Sequence, residues 1–540
     1  MLCSAEHVGV AVLSIQEVLR NQNVKPAKKS AGFDRNDLFR LGVAILFVVA
    51  VMFFTGIQAA PGSGGVMLVI AAMIGAYMAM NIGANDVANN VGPSVGSGAI
   101  TLAGAIAIAA IFEASGALIA GGDVVRTING GIINPALIEN SDTFVWLMVG
   151  ALLAAALWLN FATAIGVPVS TTHSIVGGVL GAGIAAGGWA VADWGVVLQI
   201  AASWVISPAL GGIIAATFLY LIKHSVTYKK NVLEAAGRVV PRLVALMAWA
   251  FVTYLMMKGL RRVIDAGIVN SALVGLAVAL PVYFLVKAYV RRVAPQLTDD
   301  KEGVNQLFTT PLIFAAALLS FAHGANDVAN AVGPLAGIYD AVTSGGLETQ
   351  ATIPFWVMLV GALGIALGLA LYGPRLIRTV GSEITELDKT RAFCIAMAAA
   401  ITVILATQLG LPVSSTHIAV GGVFGVGFMR EYTKVSYSRM IEEIKFRYAD
   451  DSPGEVEAFL AKFEAATINE RSIMLRELKK MKAQGVLSKA DRKGLRKINR
   501  RELVKRSLLL RIVAAWLVTL PVSACLAAAL FFMIRGIMLP

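Results

Sequence analysis

The chain has 540 residues, of which 57% are hydrophobic and only 14% charged, and it carries a formal net charge of +12. A soluble domain has about a quarter charged residues, so this composition, with a mean hydropathy of +0.74, excludes a soluble protein and indicates a polytopic membrane protein. The basic excess sits mostly in loops, where lysine and arginine set orientation, and is no sign of nucleic-acid binding; Cys3, Cys394 and Cys525 form neither a disulfide framework nor a metal spacing.

About 11 to 13 apolar runs approach the roughly 20 residues that a bilayer crossing needs. Residues 1–39 read as a polar cytoplasmic tail with a basic stretch (Lys25, Lys28, Lys29, Arg35), and no cleavable leader is expected, because the first long apolar run starts only near residue 41. An extra span over 40–60 precedes a first transport repeat, 61–222. A linker, 223–306, holds a basic loop (Lys223, Lys229, Lys230, Arg238, Arg242) and two spans. A second repeat, 307–429, follows, then a basic helical insert, 430–507, and the last span of that repeat, 508–540. Within the insert, Ser452-Pro453-Gly454-Glu455 and Thr467-Ile468-Asn469-Glu470 have capping-box spacing. The insert reads as solvated helices near anionic headgroups.

Two phrases are written twice. Gly83-Ala84-Asn85-Asp86-Val87-Ala88-Asn89-Asn90-Val91-Gly92-Pro93 returns as Gly324-Ala325-Asn326-Asp327-Val328-Ala329-Asn330-Ala331-Val332-Gly333-Pro334. Gly166-Val167-Pro168-Val169-Ser170-Thr171-Thr172-His173 returns as Gly410-Leu411-Pro412-Val413-Ser414-Ser415-Thr416-His417. Duplication in a hydrophobic chain points to a transporter. Equivalent loops differ in charge. Loop 188–193 has no lysine or arginine, while its counterpart 430–507 is strongly basic; loop 121–143 has three acids and Arg126, while 374–391 has Arg375, Arg378, Lys389 and Arg391. Basic loops stay cytoplasmic, so the halves are expected to be inverted, with the N-terminus and 430–507 cytoplasmic. Lys258, Arg261 and Arg262 run against this assignment. The fold class expected is an all-α polytopic membrane protein, an inverted-repeat secondary transporter with two re-entrant or broken-helix hairpins.

Carboxylate and amide oxygens are hard ligands that suit an alkali cation, and unwound backbone carbonyls can complete its shell. Asn85, Asp86, Asn89, Asn326, Asp327 and Asn330 are therefore the candidate cation ligands, with the neighbouring glycines and Pro93 and Pro334 expected to permit unwinding; the plainer alternative is that these residues cap helix ends. Ser170, Thr171, Thr172, Ser414, Ser415 and Thr416 are clustered hydroxyls at a new helix start, a place that suits an oxyanion, or else a polar helix–helix contact. His173 and His417 are expected to orient the loop, since no acid partner or nucleophile elbow supports a Ser–His hydrolase; the chain is not read as an enzyme. Glu113, inside an apolar run, is a candidate coupling acid. Arg126-Thr127 and Arg378-Thr379 read as snorkelling anchors.

These motifs, with Ile111-Phe112-Glu113, Gly92-Pro93-Ser94-Val95-Gly96-Ser97-Gly98 and Ser203-Trp204-Val205-Ile206-Ser207-Pro208, resemble those of the PiT family of inorganic phosphate transporters, in wording closer to its sodium-coupled members. The resemblance covers most of 65–430 and the last span. It implies a phosphate site between the two hydroxyl-rich hairpins, sodium at the Asn-Asp phrases, and a homodimer in the cell (inner or plasma) membrane whose transport part moves against a scaffold. One departure is Ala396, where relatives often carry an acid. The expected function is a secondary active symporter importing phosphate on a sodium gradient, with no cofactor. The alternatives are a proton-coupled phosphate permease, a sulfate or other tetrahedral oxyanion permease of the same fold, and a phosphate-sensing membrane receptor.

Overall fold

The computed structural model describes residues 35–59, 62–164, 169–258, 267–344, 353–383, 387–447 and 506–539. Among these, regular structure is helical apart from one isolated antiparallel bridge between Ile133 and Ala192. We number the α-helices α1 (Arg35–Gln58), α2 (Ser63–Gly96), α3 (Leu102–Ala120), α4 (Gly122–Arg126), α5 (Ser141–Ala164), α6 (Thr171–Gly187), α7 (Trp194–Ile222), α8 (Val232–Lys258) and α9 (Ile268–Val293). The second half has α10 (Lys301–Leu307), α11 (Thr309–Asp327), α12 (Ala329–Ser344), α13 (Phe355–Glu383), α14 (Lys389–Gln408), α15 (Ser415–Arg447) and α16 (Arg506–Met538). Eleven of the described segments are long and apolar enough to cross a membrane. Residues 35–46 fall in a unit separate from the body, which runs from Phe47.

Two crossings at the centre of the body repeat each other with the halves exchanged. At the first, α2 meets α13: a Cβ on Gly83 would collide with the Ile365 carbonyl, and one on Gly368 with the Met80 carbonyl. At the second, α11 meets α3: a Cβ on Gly324 would collide with the Glu113 carbonyl, and one on Gly116 with the Phe321 carbonyl. Backbones can touch this closely only where a side chain is missing, the usual use of small residues between membrane helices. The hairpin helices follow a second rule: α6 packs on α16 through Gly177 and Gly181, and α15 packs on α7 through Gly421 and Gly425. Each hairpin helix thus lies on the last span of the opposite half.

This packing corrects one sequence expectation. The Asn-Asp phrases are not unwound. α2 runs unbroken through 83–93 with Pro93 inside it, and the second copy is interrupted only at Val328, whose backbone stays helical (φ −56°, ψ −31°). The leading glycine of each phrase serves close helix approach. Each proline removes one amide donor, leaving the carbonyls of Asn89 and Asn330 without their usual helical partner. Two boundaries also differ from the expected segments. α1 begins at Arg35, and α15 continues past residue 430 to Arg447. The capping-box candidates at Ser452 and Thr467, together with Gly166, Val167 and Pro168 of the first hairpin phrase, lie outside the described residues.

Loop 121–143 is built into the protein. α4 is followed by a π-turn, Thr127–Gly131, and Val124, Val125, Ile128, Ile132 and Ile133 are fully buried. Asp123 on this strap forms ion pairs with Arg126 at 3.7 Å and with Lys258 at the end of α8. The lysine that ran against the loop-charge pattern therefore sits beside an acid of the loop assigned to the outer face.

Candidate functional site

Helical spacing builds the site. Asp86, Asn89 and Asn90 are one turn apart on α2, and His323, Asn326, Asp327 and Asn330 form an i, i+3, i+4, i+7 stripe on α11–α12. Ser170 and Ser414 open the hairpin helices as N-caps: Ser170 Oγ accepts from the His173 N–H at 3.2 Å and Ser414 Oγ from the His417 N–H at 3.4 Å. Gly410, with φ +67°, ends the chain leading out of α14 in the left-handed conformation that suits a helix stop.

The first asparagine of each phrase holds the hairpin of its own half. Asn85 donates to the Val169 carbonyl at 3.2 Å; Asn326 donates to the Leu411 carbonyl at 3.1 Å and accepts from the Val413 N–H at 3.2 Å. The aspartate and second asparagine reach the opposite hairpin. Thr416 Oγ1 donates to Asp86 at 2.9 Å and accepts from Asn89 at 2.8 Å. Thr171 Oγ1 donates to Asp327 at 3.2 Å, and Asn330 lies 3.3 Å from both Thr171 and Thr172. Ser415 adds a longer bond to Asp327, at 3.5 Å, from the same half.

The structure thus brings all twelve sequence-predicted residues into one cluster, buried except for the half-buried Asn89, but divides their work. Thr171, Ser415 and Thr416 face the carboxylates, Ser170 and Ser414 cap helices, and Thr172 donates to the Val413 carbonyl at 2.9 Å. Asn85 and Asn326 spend their amides on hairpin backbone. Glu113 joins the cluster from α3, accepting from Asn90 at 2.8 Å. His173 packs at a tilt against Trp204 with ring centroids 3.7 Å apart and faces His417 at 4.7 Å, so the imidazoles sit where the two hairpins meet. Ala396 is buried in α14.

Sequence reasoning missed His323. Its Nδ1 lies 3.3 Å from Glu113, and its Nε2 lies 3.2 Å from Asp327 and 3.9 Å from Asp86, with all four side chains at most 1% exposed. The signal was its place one turn before Asp327 in an apolar run. The repeat hid it, because the first copy has Ile82 there. No lysine or arginine among the described residues forms an ion pair with the three acids. With all three acids ionised, even an imidazolium at His323 would leave two excess negative charges, a costly state in a buried site. Asp327 Oδ1, Asn90 Oδ1 and Asn330 Oδ1 are buried without a hydrogen-bond partner among the described residues, and Asp86 Oδ2 and Glu113 Oε2 face the imidazole of His323. Such convergent oxygens suit small hard cations, and the neutral hydroxyls beside them suit an oxyanion that must later leave.

Comparison with known proteins fits a membrane transporter of this kind. The sequence profile of the "Phosphate transporter family" matches residues 82–527, and the chain belongs to that family; it is a transporter and not an enzyme. A Helicobacter pylori protein named "Putative phosphate permease" is 51% identical over 94% of this chain and 98% of its own length. A permease so named from Pyrococcus abyssi is 38% identical over 69% of this chain and 91% of its own. A solved structure described as "The sodium-dependent phosphate transporter" superposes with a TM-score of 0.71 at 32% identity, covering 88% of this chain and 100% of the other.

Proposed function

We propose that the chain is a secondary active symporter that imports inorganic phosphate together with sodium. The observation that carries this is the contact of hydroxyls with carboxylates across the halves: Thr171 with Asp327 and Thr416 with Asp86. A phosphate at these hydroxyls would lie within a few ångströms of two aspartates. Two like charges about 4 Å apart repel by about 4 kcal/mol at an effective dielectric of about 20. The anion therefore needs cations between it and the carboxylates, which makes coupling obligatory. Import into a negative cell also opposes about 2.3 kcal/mol per charge per 100 mV, and the same cations offset that cost. Sodium is favoured over protons because amide oxygens such as Asn330 Oδ1 ligate a metal cation but do not hold a proton at neutral pH. The solved relative's description as sodium-dependent agrees with this reading.

The loop charges support opposed orientation of the two halves with the N-terminus and 430–507 cytoplasmic, and the family resemblance supports a homodimer. One observation favours a second reading: His323, beside Glu113 and Asp327, is an imidazole placed where a proton could serve as countercharge. Uptake of radiolabelled phosphate into proteoliposomes separates the two. A sodium gradient at fixed pH drives accumulation if sodium is the coupling ion, and a pH gradient without sodium does so if the proton is. His323→Ile, which gives the second copy the residue of the first, leaves the sodium dependence in place under the first reading and removes pH-driven uptake under the second. Excess sulfate leaves uptake unchanged if phosphate is the substrate.

A further inference from the structure

The backbone between α14 and α15 is neither helix nor strand, and such backbone survives at membrane depth only when its polar groups find partners within the protein. Here four consecutive carbonyls each accept from a side chain on a different element. Thr127 Oγ1, on the strap after α4, donates to the Gly410 carbonyl at 2.7 Å. Asn326, on α11, donates to Leu411 at 3.1 Å. Trp204 Nε1, on α7, donates to Pro412 at 3.1 Å. Thr172, on α6, donates to Val413 at 2.9 Å. Asn326 and Thr172 belong to the cluster already described. Thr127 and Trp204 touch neither the carboxylates nor the hydroxyls that face them.

We propose that Thr127 and Trp204 are positioning residues of the transport site, which fix the second hairpin where Ser415 and Thr416 meet Asp327 and Asp86. This rests on the phosphate–cation reading above. Both donors come from packed surroundings. The strap is wedged against α12, where Ile128 packs on Gly333, and it is tied to α8 by Asp123 and Lys258. Trp204 lies on the helix that supports α15, and its ring packs on His173 of the first hairpin. A single tryptophan therefore touches both hairpins, and a single threonine ties the strap of the first half to the turn of the second. Arg126 is exposed and reaches Asp123, but Thr127 turns inward. The anchor role expected for Arg126-Thr127 does not describe its second residue.

The test compares the full chain with Thr127→Val, which keeps the shape and removes the donor, Thr127→Ser, which restores the donor, and Trp204→Phe, which keeps a ring on His173 and removes the N–H. Two readouts are used: phosphate KM and maximal rate of uptake into proteoliposomes under an inward sodium gradient, and hydrogen exchange of amides 409–416 measured by mass spectrometry. Loss of one buried bond is expected to raise KM by about tenfold with the maximal rate within about twofold, and to speed exchange in 409–416; Thr127→Ser matches the unmodified chain in both. Unchanged KM and exchange in Thr127→Val overturns the inference, as does a Thr127→Ser variant as impaired as Thr127→Val. If Thr127→Val is not recovered as a folded protein, Trp204→Phe decides by the same criteria. If the unmodified chain takes up no phosphate, the transport reading falls, and the exchange measurements alone decide whether these residues fix the hairpin.

Discussion

The two Asn-Asp phrases differ at one position, Asn90 against Ala331, yet their surroundings are not equivalent. Asn90 donates to Glu113. At the other crossing the place of Glu113 is taken by Ile365, and the place of His323 by Ile82. All three departures meet at Glu113, which accepts from Asn90 and lies 3.3 Å from His323. Duplication supplies a symmetric frame of two aspartates, four asparagines and two hydroxyl-bearing helix starts. The unequal part is a single acid–imidazole pair laid beside it. A symmetric frame suits alternation between two faces, whereas a titratable pair present once gives the two aspartates different neighbours.

The largest effect should come from removing the aspartates, and it should be unequal. Asp327 accepts from Thr171 and Ser415 and lies 3.2 Å from His323; among the described residues, Asp86 accepts from Thr416 and lies 3.9 Å from His323. Breaking a buried charged partnership costs about 3–5 kcal/mol. Asp327→Asn is expected to lower ion-driven phosphate uptake by about a hundredfold or more, and Asp86→Asn by a smaller factor, with both proteins still inserting. Uptake assays at matched protein levels check this. Equal losses would mean that the acid–imidazole pair does not distinguish the two copies.

The glycine crossings sharpen the comparison through stability. A methyl group at Gly83 or Gly324 meets a carbonyl oxygen of the facing helix, so either alanine must push two helices apart. Overpacking of this kind costs about 1–3 kcal/mol, and Gly83→Ala and Gly324→Ala should lower the melting temperature in detergent by similar amounts. Their effects on uptake should differ. Gly324 presses on the backbone of Glu113 itself, while Gly83 presses on Ile365. Gly324→Ala should therefore reduce uptake further than Gly83→Ala.

How much of this was legible in the sequence follows from what repeats. Membrane class and the clustering of the twelve candidate residues could be read because repetition and polarity at bilayer depth are local signals. The division of labour among those residues could not, because it depends on which hairpin each side chain reaches, and the halves exchange partners at the aspartate and the second asparagine. The glycines were visible but misread. A glycine beside Asn-Asp suits unwinding as well as close packing, and only the facing carbonyl of Ile365 or Glu113 decides between them. His323 was hidden for the opposite reason, since it belongs to no repeated position.

The smallest expected effect concerns how the two phrase-bearing helices begin. α2 starts after Gly62, which has no side chain to cap it. The second copy is led in by α10, whose N-cap Asp300 accepts from the N–H groups of Glu302 and Gly303, both at 2.9 Å. Asp300 lies between the membrane-spanning segments and is fully solvent-exposed. The Gly303 N–H first, then the Thr298 hydroxyl and the Glu302 N–H, hold its carboxyl below the usual carboxylate range. A group whose folded pKa is lowered adds stability above its unfolded pKa, and that stability is lost as pH falls through the folded value. The contribution should therefore be intact at neutral pH and fade below about pH 4. Asp300→Ala should lower the melting temperature slightly at pH 7, and the gap between variant and unmodified chain should narrow on acidification. Asp300→Asn, which still caps but cannot titrate, should keep most of the stability at pH 7 and remove this contribution to the pH dependence. A gap that stays constant from pH 7 to pH 3.5 would show that the carboxylate charge adds nothing to the start of the second copy.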